Sequence, residues 1–122
     1  MRYPVLSICI ILNLLTSCNN RTENDLHEDN LNGKVKSVRT VTYNLVEKFG
    51  ELQKNGIAIS HINQFVTYNE QGNLVEKNKY GSDESLKWKQ TYKYDDKGNL
   101  VEKNMYGSDE SLKWKQTYKY DD

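Results

Sequence analysis

Between Leu86 and Tyr94 apolar and polar positions alternate without a break. Leu86, Trp88, Gln90, Tyr92 and Tyr94 share one parity, and Lys87, Lys89, Thr91 and Lys93 share the other. A period of two predicts a half-buried antiparallel strand, and Leu112 to Tyr120 repeats the pattern in the same phase. Leu74–Tyr80 is a less regular strand, because Leu74 and Val75 are adjacent and Glu76 and Asn78 share parity with Tyr80. A bulge near Val75 would turn both apolar residues inward. Turn chemistry separates these runs: Gly81-Ser82-Asp83-Glu84-Ser85 closes one hairpin, and Asp95-Asp96-Lys97-Gly98-Asn99 leads into the next. Glycines 72, 81, 98 and 107 are expected at the positive-φ positions of these turns.

Strand, turn, strand and turn recur as a unit. Asn73–Asp96 and Asn99–Asp122 differ only at Lys79 against Met105, which fixes a 26-residue period. A period of this size predicts stacked supersecondary units, each covering its neighbour. Upstream, Lys34–Lys48 is rich in Val and Thr and places Val41, Tyr43 and Leu45 on one face. Phe49-Gly50 and Asn55-Gly56 mark a break, after which Ile57–Tyr68 resumes the β pattern. The expected fold is therefore all-β, an antiparallel β-hairpin repeat sheet in the form of a meander of about six strands. Residues 33–68 form a first, irregular hairpin, and residues 69–122 form two 26-residue hairpin repeats.

The amino-terminal segment is of another kind. Arg2 precedes an apolar run from Val5 to Leu15, too short to cross a bilayer and of the length of a signal-peptide core. Leu15-Thr16-Ser17-Cys18 is similar to the bacterial lipobox, an aliphatic residue and two small ones before the cysteine that is lipidated. The resemblance implies a lipoprotein signal peptide over 1–17 and a lipid on Cys18. Several acyl chains would hold the protein at a membrane, each buried methylene contributing about 0.8 kcal/mol. Cys9 would leave with the signal and Cys18 would be modified, so the mature chain would carry no thiol for a disulfide or a thiolate metal site. Residues 18–32 are polar with two leucines and no period to bury them, as in a flexible tether.

The repeat itself resembles the YD repeat of the bacterial RHS family, in which Tyr-Asp, two variable residues, Gly, a polar residue and Leu are followed by a further Tyr. Tyr94-Asp95-Asp96-Lys97-Gly98-Asn99-Leu100 with Tyr106 follows that pattern. Tyr68-Asn69-Glu70-Gln71-Gly72-Asn73-Leu74 with Tyr80 follows it with Asn for Asp, and Tyr120-Asp121 begins another copy. The resemblance covers about half the chain and implies β-hairpins in one sheet and a surface location. This chain has fewer copies, a longer unit and no toxin segment, unlike the large members that coil the sheet into a shell.

Candidate chemistry is sparse. Lys plus Arg and Asp plus Glu each number 17 and alternate along the repeats, without the concentrated basic face a nucleic-acid partner needs. Asp95 is placed where an Asx-turn bonds its carboxylate to backbone amides. Asp83-Glu84 and Asp109-Glu110 recur in identical turns, whereas a catalytic pair needs two unlike environments. These turns gather too few oxygen ligands for calcium, and the carboxylates around His27 are read as solvated. His61 has no nucleophile partner. The expectation is no catalytic residue, no metal and no cofactor. Trp88, Tyr92, Tyr94, Trp114, Tyr118 and Tyr120 form an aromatic ladder, read first as cross-strand packing and otherwise as a platform for stacking a ligand.

These readings lead to a non-enzymatic lipoprotein of the bacterial cell envelope, lipid-anchored at the outer membrane through Cys18, with a β-repeat domain that contacts a protein or a glycan. Two alternatives stand beside it: a glycan-binding module using the Trp/Tyr ladder, and a truncated remnant of a longer RHS/YD array.

Overall fold

The structure, a computed structural model, describes residues 24–59 and 63–121. After a single helical turn, α1 (Asp25–Glu28), come eight strands. They are β1 (Ser37–Val41), β2 (Tyr43–Lys48), β3 (Glu51–Ile57), β4 (Asn63–Tyr68), β5 (Leu74–Tyr80), β6 (Leu86–Tyr94), β7 (Leu100–Gly107) and β8 (Leu112–Thr117). Six of them form an antiparallel sheet in the order β1-β4-β5-β6-β7-β8, a meander from β4 onward, and β2 and β3 pair separately.

Residues directly opposite one another share a face, so the register threads Val38, Val66, Lys77, Gln90, Met105 and Trp114 along one row. Arg39, Phe65, Asn78, Lys89 and Tyr106 form a row on the other face. Every strand of the repeats opens with a bulge just past its turn, the unpaired residue being Val75, Lys87, Val101 or Lys113. The sequence pointed to the first of these. The strands also step. Gln90 faces Met105 and then Trp114, two residues short of its own equivalent Gln116, because β6 is nine residues long and β5 only seven. An even step keeps each repeat on the same face. Trp88 and Trp114 consequently share a face, but they lie in successive rows with β7 between them rather than side by side.

Cover is thin. Leu26, Val66 and Tyr68 form the core, flanked by Leu31, Val35, Val38 and Leu74. It lies where α1 seats on one end of the sheet. Burial is deepest in β4, persists at Asn78 in β5 and Asn104 in β7, and gives way to exposed residues all along β8. The alternation in β6 does not separate a covered face from an open one, since Lys89 and Thr91 are as half-buried as Trp88 and Tyr92. With a single layer, cover comes sideways from long side chains on both faces. On the Asn104 face, Glu102 Oε1 lies 2.9 Å from Lys93 Nζ and Glu102 Oε2 3.1 Å from Lys115 Nζ, and Asn104 Nδ2 donates to Glu102 at 2.8 Å.

Three expectations change. The tether reading of 18–32 does not hold from Asn24 onward; residues 18–23, with Cys18, lie outside the described residues. Asn24 caps α1 by accepting from the His27 backbone amide at 3.1 Å, and Leu26 is 7% exposed, because a single leucine on a capped turn can fill the corner above Gly72. The first hairpin does pair β1 with β4, but the break between its arms is itself a hairpin, β2–β3, turning at Phe49-Gly50 with φ of 55° and 81°. Positive φ at both central residues is the type I′ turn whose twist suits two strands. Finally, Gly72 and Gly98 do adopt positive φ, at 85° and 87°, but in the Gly81 and Gly107 turns that role falls to Glu84 and Glu110 at 59° and 57°. At Gly81 the need is room: a Cβ would lie 2.5 Å from Asp83 Oδ1.

The Asn104 amide, first, and then Lys93 and Lys115 hold the Glu102 carboxyl at about 2, below its ordinary 4.5. A depressed folded-state value contributes stability above the unfolded value and loses it as pH falls toward the folded one. Urea midpoints of the wild type and Glu102→Gln should therefore differ most above pH 4.5 and converge as pH approaches about 2.

Candidate functional site

Two turns of the same design sit at one end of the sheet, before β5 and before β7. In the second, Asp95 Oδ1 accepts from the amides of Lys97 at 2.9 Å and Asn99 at 2.8 Å, and Oδ2 accepts from Asn99 Nδ2 at 3.1 Å. Asn69 Oδ1 does the same in the first, accepting from Gln71 N at 3.0 Å and Asn73 N at 2.9 Å. Asn can stand for Asp because the turn needs an acceptor rather than a charge. The bonds from Asn99, side chain then backbone, hold the Asp95 carboxyl below the usual range.

Between the turns lies an open groove of about 970 Å³. Asn69, Gln71 and Asn73 form one wall, Asp95, Asp96 and Lys97 the other, and Val75, Tyr92 and Tyr94 line it between them. Asn24 also borders it. The Tyr94 hydroxyl contacts the Leu74 carbonyl at 2.8 Å and Asp25 Oδ2 at 3.0 Å, while Asp25 Oδ2 accepts from Leu74 N at 2.5 Å. Burial, and then the Asp25 charge, push both the Tyr94 and Tyr92 phenols up. Burial followed by its hydrogen bond to Asp29 at 2.5 Å raises Tyr68 likewise. Phenols pushed up and a carboxylate held down keep fixed protonation states near neutrality. The groove thus presents hydrogen-bonding groups in these states.

The six ladder aromatics separate into three pairs. Tyr92 and Tyr94 meet in the groove. Tyr118 and Tyr120 lie beyond the end of β8, and the Tyr120 hydroxyl donates to the Leu100 carbonyl at 2.8 Å as Tyr94 does to Leu74. Trp88 and Trp114 stand farther along the strands, and Trp114 is 40% exposed. They do not stack as a ladder, because β7 intervenes: Lys103 Nζ sits 5.3 Å from the Tyr92 ring and 5.8 Å from that of Trp114, distances of cation–π contact.

At the opposite end Asp83 and Asp109 each bond the following serine, Ser85 and Ser111, through its amide at 3.2 Å and its hydroxyl at 2.7 Å. Both carboxyls are held low, first by those hydroxyls. Asp25 and Asp29 bond Leu74, Tyr94 and Tyr68, so two of the three acids around His27 are partners of the sheet, while Glu28 is exposed. Among the described residues no group of three or more His, Cys, Asp or Glu is arranged to hold a metal ion. His61 lies outside the described residues. Sequence reasoning placed Asn24 and Leu26 in the tether and read Asp25 as solvated. The signal available was an Asn cap followed at once by an acidic first helical position.

Comparison with family models, curated proteins and solved structures finds no match for this chain.

The turn geometry makes a direct prediction. Asp95→Asn should leave the thermal midpoint close to that of the wild type, as Asn69 already works in the equivalent turn. Asp95→Ala should lower the midpoint and release the Lys97 and Asn99 amides to faster hydrogen exchange.

Proposed function

We propose that this is a non-enzymatic, lipid-anchored protein of the bacterial cell envelope whose repeat sheet serves as a binding platform. The groove between the two Asx-turns carries the binding half of this reading: it is open, polar-walled, lined by two tyrosines, and built from groups in fixed protonation states. The anchoring half rests on Leu15-Thr16-Ser17-Cys18 after a short apolar run. Among the described residues no helix is long and apolar enough to cross a membrane. A fully extended chain from Cys18 to Asn24 spans at most about 20 Å, and Asn24 borders the groove. The groove would then face the membrane-proximal side, with the β2–β3 hairpin at the other end of the sheet.

A glycan is the second ligand class, favoured by the amide and carboxylate walls around Tyr92 and Tyr94 and by the exposed Trp114. Radiolabelled palmitate should enter the wild-type protein in growing bacterial cells and not Cys18→Ser; label in both, or in neither, defeats the anchoring half. For a glycan ligand, tryptophan fluorescence should shift on adding cell-surface polysaccharide, and an unchanged spectrum across a panel of them rules that ligand class out.

A further inference from the structure

α1 occupies a seat that the repeat builds twice. On the first turn Asn24 Nδ2 donates to the Gln71 carbonyl at 2.8 Å and Leu26 N to the Gly72 carbonyl at 3.1 Å. Asp25 takes the Leu74 amide and approaches the Tyr94 hydroxyl. Three of these four contacts go to backbone atoms, which do not depend on side-chain identity. One repeat later the same positions are Lys97, Gly98, Leu100 and Tyr120. Gly98 shares the backbone of Gly72, with φ of 87° and 85°, and the Tyr120 hydroxyl is held on the Leu100 carbonyl as that of Tyr94 is on Leu74.

The space is also there. A Cβ on Gly72 would lie 2.6 Å from Asn24 Nδ2, so the filled seat requires glycine, whereas around Gly98 the nearest atom to such a Cβ is Asn73 Nδ2 at 4.0 Å. The groove of about 970 Å³ lies against Gly98, with Val75 and Tyr92 lining it where Val38 and Val66 flank the first seat. Consecutive seats are two strands apart, about 10 Å, which matches the diameter of a helix with its side chains, about 10–12 Å. Two helical turns can therefore lie side by side.

Resting on the platform reading, we propose that the groove beside the Asp95–Asn99 turn is a docking seat for a short acidic segment of a partner protein, one that opens a helical turn with Asn-Asp-Leu as α1 does. Charge supports this occupant. Lys97 borders the groove where the first seat has Gln71, while the added charge of Asp95 is turned onto its own loop amides.

The test is a titration of the full-length, 15N-labelled protein in detergent micelles with the synthetic peptide Asn-Asp-Leu-His-Glu-Asp-Asn-Leu, the sequence of residues 24–31. Saturable amide shifts are expected at Lys97, Gly98 and Leu100. Replacing the peptide's first Asp, the equivalent of Asp25, by Ala should weaken binding roughly tenfold, the loss of one charge-assisted hydrogen bond. Gly98→Asn, a residue that tolerates positive φ, should also weaken it at least about tenfold by filling the seat, with the tryptophan emission of the free protein unchanged. Tyr120→Phe should weaken it several-fold and leave the β-sheet circular dichroism intact.

Equal binding by Gly98→Asn overturns the proposal, as do shifts at Gly72 and Leu74 instead. Concentration-dependent shifts at Gly98 without peptide overturn it in favour of a second copy of this chain. An oligosaccharide that moves the groove amides where the peptide does not would overturn the acidic-segment ligand and leave the platform standing. Groove amides unmoved by either ligand class at millimolar concentration would remove both.

Discussion

A sheet with one layer has to find between neighbouring strands the cover that a sandwich finds between facing sheets. In this chain that constraint decides which side chains occupy the repeats. Among the described residues the buried apolar set is Leu26, Ala58, Val66 and Tyr68, too small to hold six strands by core burial alone. Long side chains supply the remainder. Lys89 lies over Tyr106 at 5.2 Å and Arg39 over Tyr80 at 4.6 Å, while Glu102 joins β6 and β8 through Lys93 and Lys115. Stems covering rings and charges placed at the rim let a strand be half-buried on both faces at once. The mixed burial of β6 follows directly, as does the loss of cover toward β8, which has a neighbour on one side only.

The regular half of the fold was legible because its information is local. A two-residue period, and in the Asn69 and Asp95 turns an acceptor at the head and a glycine three residues on, fix strand, turn and restart within a few positions. Even the bulge at Val75 could be anticipated from the adjacent Leu74 and Val75. The amino-terminal half depends on distant partners. Leu26 is buried because Gly72, 46 positions later, leaves room for it, and a four-residue helix has no period to detect. β3 reads Glu-Leu-Gln-Lys-Asn-Gly-Ile and is exposed along most of its length, so no face selects for apolar residues. Phe49 at a positive φ, fully exposed at the hairpin tip, runs against what turn chemistry would place there.

The candidate site was half legible for a related reason. Periodicity singled out Tyr92 and Tyr94, which do line the groove, but it also grouped them with Trp88 and Trp114. Alternation along a strand fixes which face a residue takes. It does not fix the row, and rows here are set by the two-residue step that comes from the unequal lengths of β5 and β6. The walls of the groove were identified only as turn formers, because what makes them walls is the parallel placement of two turns with two strands between them.

Near-identity of the two units has a consequence for what they can do. Apart from Lys79 and Met105 they carry the same residues, so any difference between them must come from their surroundings. Glu76 pairs with Thr67 and Thr91, whereas Glu102 has Lys93 and Lys115 within reach. Both tyrosine hydroxyls bond the equivalent carbonyl, Leu74 for Tyr94 and Leu100 for Tyr120, and Tyr94 has Asp25 at its hydroxyl in addition. The repeat thus supplies a standard pair of turns and phenols, and the flanking chain differentiates them. α1 commits the first seat to the protein's own stability. The second keeps the same backbone geometry at Gly98 and faces an open groove, with Asp95, Asp96 and Lys97 where the first has Asn69, Glu70 and Gln71.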